Sequence, residues 1–171
     1  MDAQTVVDLY KNLENLGIKI WIDGGWSVDA LLGENTRKHS DLDIAIQYKD
    51  FIKFREYLES QGYKEIERDA DKKWNFVLGD EKGNEVDVHA FNFDSNGHII
   101  EGIEYPDESL TGTGVINGYK VRCISPEYMV KFLAEWVYKH PQKYLQAISA
   151  LCEKFNIDLP QEYIITKDKE K

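Results

Sequence analysis

The chain has 171 residues, 42% of them hydrophobic and 30% charged, which suits one folded domain with a proper core and excludes a disordered polymer. Its formal net charge of −10 argues against a nucleic-acid partner, whose phosphates need lysine and arginine, and favours metals or amine-bearing small molecules. Two cysteines without CxxC spacing, Cys123 and Cys152, and no apolar run near the ~20 residues of a bilayer span point to a reducing cytoplasm and no membrane partner.

Taken in order, residues 5–16 (TVVDLYKNLENL) space Val6, Leu9, Leu13 and Leu16 as a helix closed by Gly17. IKIWI is a buried strand that runs into Asp23-Gly24-Gly25, and Trp26 to Leu32 is a short helix ended by Gly33. DLDIAI alternates as a strand with one polar face, and DFIKFREYLESQG is the next helix. Three strands are predicted at YKEIER, WNFVL and EVDVHAF, the last two flanking the hairpin loop GDEKGN. Residues 94–118 are rich in glycine, acid and turn formers, with short strands at HII and, just beyond, YKVRCI. Ser125-Pro126 then opens a helix over 126–138, and Pro141 opens another over 141–154. This order predicts an α+β (mixed α/β) fold, a sheet covered by helices. Residues 1–120 form the expected core unit, and 121–171 a helical C-terminal region packed on it.

Asp41 and Asp43 lie two apart in a strand, so both point to one face about 6.5–7 Å apart. At an effective dielectric of about 20, two such charges repel by roughly 2–2.5 kcal/mol. A divalent cation between them removes that cost, and hard ions such as Mg²⁺ prefer carboxylate and phosphate oxygens. In EVDVHAF, Val86 and Val88 should face the core and turn Asp87 and His89 the other way. If this strand lies beside DLDIAI, Asp87 joins the first two acids and the three can hold one or two metal ions. A D-x-D pair alone is common and more often an ordinary wet sheet face, as is an alternating VDVH strand; the combination is what points to a site.

Gly24 and Gly25 bring bare backbone to a helix N-terminus, where N–H groups can approach phosphate oxygens. The loop is neither GxxxxGK[ST] nor GxGxxG. Ser27 can donate its hydroxyl to a phosphate or help cap the helix. Arg37, Lys38 and His39 form a cationic stretch before Asp41, and arginine suits phosphate through its planar fork.

GGWSVDALLGENTRKHSDLDI resembles the signature of small antibiotic nucleotidyltransferases, the lincosamide and aminoglycoside 2″-type adenylyltransferases of the polymerase-beta-like superfamily. The shared pattern is Gly24-Gly25-Trp26, Asp29, Gly33, Arg37, His39, Asp41 and Asp43, and it extends more loosely to VDVH and VRCISPE. The resemblance implies a minimal nucleotidyltransferase fold that transfers a nucleoside monophosphate, usually AMP from ATP, to an antibiotic hydroxyl. Asp41 and Asp43 would then hold Mg²⁺, with Asp87 as third ligand or general base and His89 as a rival base. Gly24, Gly25 and Ser27 would lie along the triphosphate, with Arg37 and His39 nearby.

DVHAFNFDSNG looks closer to the lincosamide enzymes, while LLGENTRKHSDLDI and VRCISPE sit equally close to the aminoglycoside 2″-type. Both drug classes are cationic, so the acidic stretch Glu101, Glu104, Asp107 and Glu108 can receive an amine, with Tyr105 beside it. The lincosamide-like members suggest a homodimer. A nucleotidyltransferase-type antitoxin or regulator acting on a protein partner is the alternative from another class.

Overall fold

A computed structural model describes residues 1–67 and 73–169; Arg68, the last residue of the YKEIER candidate, lies outside them. Helix α1 spans Ala3–Asn15, with Asp2 as its N-cap accepting from the Thr5 N–H at 2.8 Å. Its Val6, Leu9 and Leu13 are buried as the spacing predicts, with Val7 and Tyr10 beside them, while Leu16 is the half-buried C-cap. Strand β1 is Ile20–Ile22, helix α2 Gly24–Leu32 and strand β2 Asp41–Gln47. Helix α3 spans Phe51–Ser60 and buries Phe54 and Leu58. Strands β3 (Lys64–Ile66), β4 (Asn75–Gly79) and β5 (Glu85–Phe93) follow, then β6 (Ile99–Gly102).

A hairpin of β7 (Gly112–Ile116) and β8 (Tyr119–Cys123) completes the sheet, and helices α4 (Pro126–Trp136), α5 (Pro141–Phe155) and α6 (Gln161–Lys169) end the described chain. Strand β7 and helix α6 have no counterpart in the sequence-based expectation.

Among the described residues the strands run in the order β3-β4-β5-β2-β1-β8-β7, with β6 also paired to β5. The sheet is mixed: β2 is antiparallel to β1 but parallel to β5. That parallel register sets Asp43 directly across from Asp87, with Leu42 and Ile44 opposite Val86 and Val88. All four aliphatic side chains are fully buried, so the acids on alternate positions turn to the other face. The indole of Trp21 donates to the Leu110 carbonyl at 2.6 Å, tying β1 to the segment before β7.

Helix α2 is buried almost all round, from Trp26 to Leu31, packed against β7, β2, α4 and α5. Lys154 of α5 donates to the Leu32 carbonyl at 2.6 Å and binds the two helices together. Strand β8 crosses residue 120, and one buried cluster continues from Val6 through to Tyr163. No described helix is long and apolar enough to cross a membrane.

Candidate active site

A cleft of about 740 Å³ opens between the N-terminal end of α2 and helices α4 and α5. Asp23, Gly24, Gly25, Arg37, Asp41, Asp43 and His89 line one wall; Met129, Phe132, Leu133, Trp136, Tyr144 and Ala147 line the other. Glu34, Glu104 and Glu135 add acids and Lys143 a base.

The glycines are placed for close approach. Gly24 adopts φ +56, and a Cβ built there would lie 1.9 Å from Asp43 Oδ2. At Gly25 the same atom would meet Arg37 Nη2 and His39 Nδ1, each at 2.5 Å. Bare backbone is therefore what lets the carboxylate of β2 and the guanidinium of the loop share one helix N-terminus.

Asp23 is buried at the N-cap of α2, where its carboxylate accepts from the Gly24 N–H at 2.7 Å. It also accepts from the Tyr105 hydroxyl at 2.6 Å, and that hydroxyl lies 2.8 Å from His89 Nδ1. On its other side His89 Nε2 stands 3.6 Å from Asp87 Oδ1, and Asn75 Nδ2 donates to the same oxygen at 2.8 Å.

Since the tyrosine proton goes to Asp23, Nδ1 is the nitrogen that donates to the hydroxyl, while Nε2, turned toward Asp87, stands beyond hydrogen-bond distance of it. Burial pulls the His89 pKa down, but the hydrogen-bonded charge of Asp23, with Asp87 and Asp43, lifts it above its ordinary value.

Burial also opposes ionisation of Asp23, yet bonds from His89, Tyr105 and Gly24 bring its pKa below the usual range. Asp43 goes the other way, pushed up to about 7 by burial and then by the charges of Asp23 and Asp41.

Ligand atoms of Asp43, Asp87 and His89 lie within 4.8 Å of one another. This set differs from the expected Asp41–Asp43–Asp87: Asp41 lines the cleft, but its carboxylate accepts from Ser40 Oγ at 3.0 Å and stands outside the cluster. The residues suit a divalent cation. Carboxylate oxygens dominate the donor set, and the raised Asp43 pKa marks a surplus of negative charge that a cation would relieve.

Other residues singled out from the sequence divide. Gly24, Gly25, Arg37, His89, Glu104 and Tyr105 line the cleft. Ser27 does not: it is fully buried beside Cys123, whose thiol burial pushes up to about 12. His39 is buried too, its Nε2 2.7 Å from Asp29 Oδ2 and its ring 4.5 Å from that of Trp26. Glu101 is exposed on β6, accepting from Asn92 at 3.1 Å outside the cleft. Tyr105 is buried, with its hydroxyl committed to Asp23 and His89. Sequence reading assigned no role to Asp23 or Asn75, although an aspartate before a helical glycine pair is an N-cap signal.

This sheet, with its glycine-led helix and facing carboxylates, has the nucleotidyltransferase fold. It resembles lincosamide antibiotic adenylyltransferase LnuA bound to lincomycin (23% identical, TM-score 0.73, covering 91% of this chain and 97% of that one). It also resembles ANT(2″)-Ia in complex with adenylyl-2″-tobramycin (20% identical, TM-score 0.76, covering 99% and 98%).

Residues 5–146 match the family model for aminoglycoside-2″-adenylyltransferase, and the chain belongs to that family of nucleotidyltransferases. It is 30% identical over 136 residues to a lincosamide resistance protein of Staphylococcus haemolyticus, covering 74% of this chain and 79% of the relative. It is 28% identical over 165 residues to a 2″-aminoglycoside nucleotidyltransferase of Escherichia coli, covering 88% and 90%.

Proposed function

We propose that this enzyme transfers a nucleoside monophosphate, AMP from ATP, to a hydroxyl of a cationic antibiotic, releasing pyrophosphate and inactivating the drug. The observation that carries the reading is the register of β2 against β5, which sets Asp43 opposite Asp87 at the mouth of a glycine-led helix. Asp43 and Asp87 would hold Mg²⁺, with Asp41 beside them on the same strand face. When bound, that ion would neutralise the triphosphate and align it for displacement at the α-phosphorus.

The chain's own groups do the rest. The α2 N-terminus, bare at Gly24 and Gly25, offers favourable partial charge to phosphate, and Arg37 offers a forked donor at the same place. Asp87 takes the proton of the acceptor hydroxyl, its carboxylate oriented by the Asn75 amide. His89 is the less suited rival, because its Nδ1 is engaged by the Tyr105 hydroxyl and its Nε2 is turned to the Asp87 carboxylate.

Among acceptors a lincosamide is favoured over an aminoglycoside. The wall of Met129, Phe132, Trp136 and Tyr144 suits a drug that joins one amine to apolar carbon, and the 30% identical relative is a lincosamide resistance protein. Glu34, Glu104 and Glu135, and the matching family model, support the aminoglycoside alternative.

An acceptor panel decides. Purified protein with ATP and Mg²⁺ is given lincomycin, clindamycin, kanamycin or tobramycin, and pyrophosphate release is followed with mass spectrometry of the drug. Lincosamides should gain one nucleoside monophosphate. Aminoglycoside modification alone reverses the drug preference, and silence with all four overturns the antibiotic reading.

A further inference from the structure

Asp29 does not line the cleft. It sits inside α2 and is 2% exposed, where an unpaired carboxylate would be expensive. Its partners all come from one short segment. Oδ1 accepts from the Thr36 N–H at 3.2 Å and the Thr36 hydroxyl at 2.5 Å, and Oδ2 lies 2.7 Å from His39 Nε2. Asn35, turned so that its amide donates, reaches Asp29 Oδ2 and the Arg37 carbonyl, each at 2.8 Å.

Three further contacts close the arrangement. The Trp26 ring covers His39, the Met1 ammonium donates to the His39 carbonyl at 2.9 Å, and the absent Gly25 side chain leaves room for His39 and Arg37 together. The Arg37 guanidinium itself donates to the Lys38 carbonyl at 3.1 Å, so its aim depends on where the backbone of 35–38 is held.

We infer that Asp29 is a positioning residue: with His39 it gathers residues 35–39 around one buried carboxylate and so fixes Arg37 against Gly25 at the nucleotide end of the cleft. His39 then serves the triphosphate without touching it. This inference rests on the reading of that wall as a nucleotide site.

The test uses Asp29→Asn, His39→Gln, Arg37→Ala and the Asp29→Asn/Arg37→Ala double variant. Steady-state kinetics against ATP–Mg²⁺ are combined with hydrogen exchange over 34–39. Asp29→Asn keeps the volume but turns one acceptor into a donor facing donors. It should speed exchange in that segment and lower kcat/KM for ATP by about 10²-fold, the order expected from a displaced contact group. The loss should fall on KM for ATP, with turnover at saturation changed far less.

In the Arg37→Ala background the same substitution should cost little more, because its target is already gone. Unchanged KM in Asp29→Asn, or losses that multiply independently in the double variant, would overturn the assignment. Should Asp29→Asn fail to fold, Thr36→Val removes one donor while keeping the N–H bond, and must move KM in the same direction. Should the wild type turn over no nucleotide, the functional reading fails by itself. Exchange then judges the pairing, and undisturbed protection over 35–39 in Asp29→Asn or His39→Gln refutes it.

Discussion

Asp43 stands where three demands meet: a strand partner in Asp87, a helix start at Gly24, and the buried charge of Asp23. An alanine at Gly24 would take up φ +56, which costs an L-residue roughly 1–2 kcal/mol, and would overlap the Asp43 carboxylate. Gly24→Ala should therefore lower stability by at least about 1 kcal/mol in urea and abolish Mg²⁺-dependent turnover. Asp87→Asn separates the base from the ligand role. It should cut turnover by about 10²–10⁴ while nucleotide binding, measured by calorimetry, persists. Lost nucleotide binding with unchanged turnover per bound enzyme would make Asp87 a holder of the ion alone. That Asp43 and Asp87 both turn away from the core was legible, because a period-two pattern with valine and isoleucine on one face leaves acids only the other. The pairing of their strands came from the register of the fold. Ser27 and His39 were not legible. Ser27 sits on a helix buried almost all round, so no amphipathic face told cleft from core, and His39 lies in the loop before β2, where no period tells which way a side chain turns.

At the scale of elements, α4 and α5 bring an aromatic wall that the N-terminal half lacks. Trp136 is 50% exposed, more than core packing asks of an indole, and it lines the cleft. Trp136→Ala should raise the acceptor KM about tenfold, roughly 1.4 kcal/mol of binding, and leave the KM for ATP near its original value. Equal effects on both would place Trp136 in general packing. Most elements were readable in advance, since caps and stops marked their ends: Gly17 after α1, Ser125-Pro126 for α4, Pro141 for α5. Strand β7 escaped because Gly112 and Gly114 read as turn formers. In the fold Gly114 lies against the Ala30 backbone, where a Cβ would come within 2.3 Å of its carbonyl oxygen. Helix α6 escaped because Ile164, Ile165 and Thr166 are β-branched neighbours without helical spacing, and only Tyr163 and Thr166 are buried.

Over the molecule as a whole, the crowding of acids fixes how stability should respond to pH. Asp43 titrates at about 7 in the fold against 3.8 for the free side chain, through burial first and then Asp23 and Asp41. Between those values the folded protein keeps a proton that the unfolded chain has released, so stability falls as pH rises from about 4 to 7. His89, raised by Asp23 and the other carboxylates against the opposing pull of burial, adds a slope of the same sign above its ordinary value of 6.5. Asp23, lowered, acts oppositely, but only near and below 3.8. Thermal unfolding without metal should show this decline. Millimolar Mg²⁺ should raise the midpoint little at pH 5 and progressively more toward pH 8, as the cation replaces the proton. A pH-independent Mg²⁺ effect would place the ion elsewhere.

The two sides of the cleft come from separate stretches of chain: the carboxylates and glycines from the start of α2 and from β2, with His89 of β5, and the aromatic wall from α4 and α5. On the proposed function, substitutions confined to residues 129–147 should change which drug is accepted while leaving the KM for ATP near its original value. On that reading, a succession of antibiotics would select changes within two short helices, and those helices are where an altered spectrum should be sought.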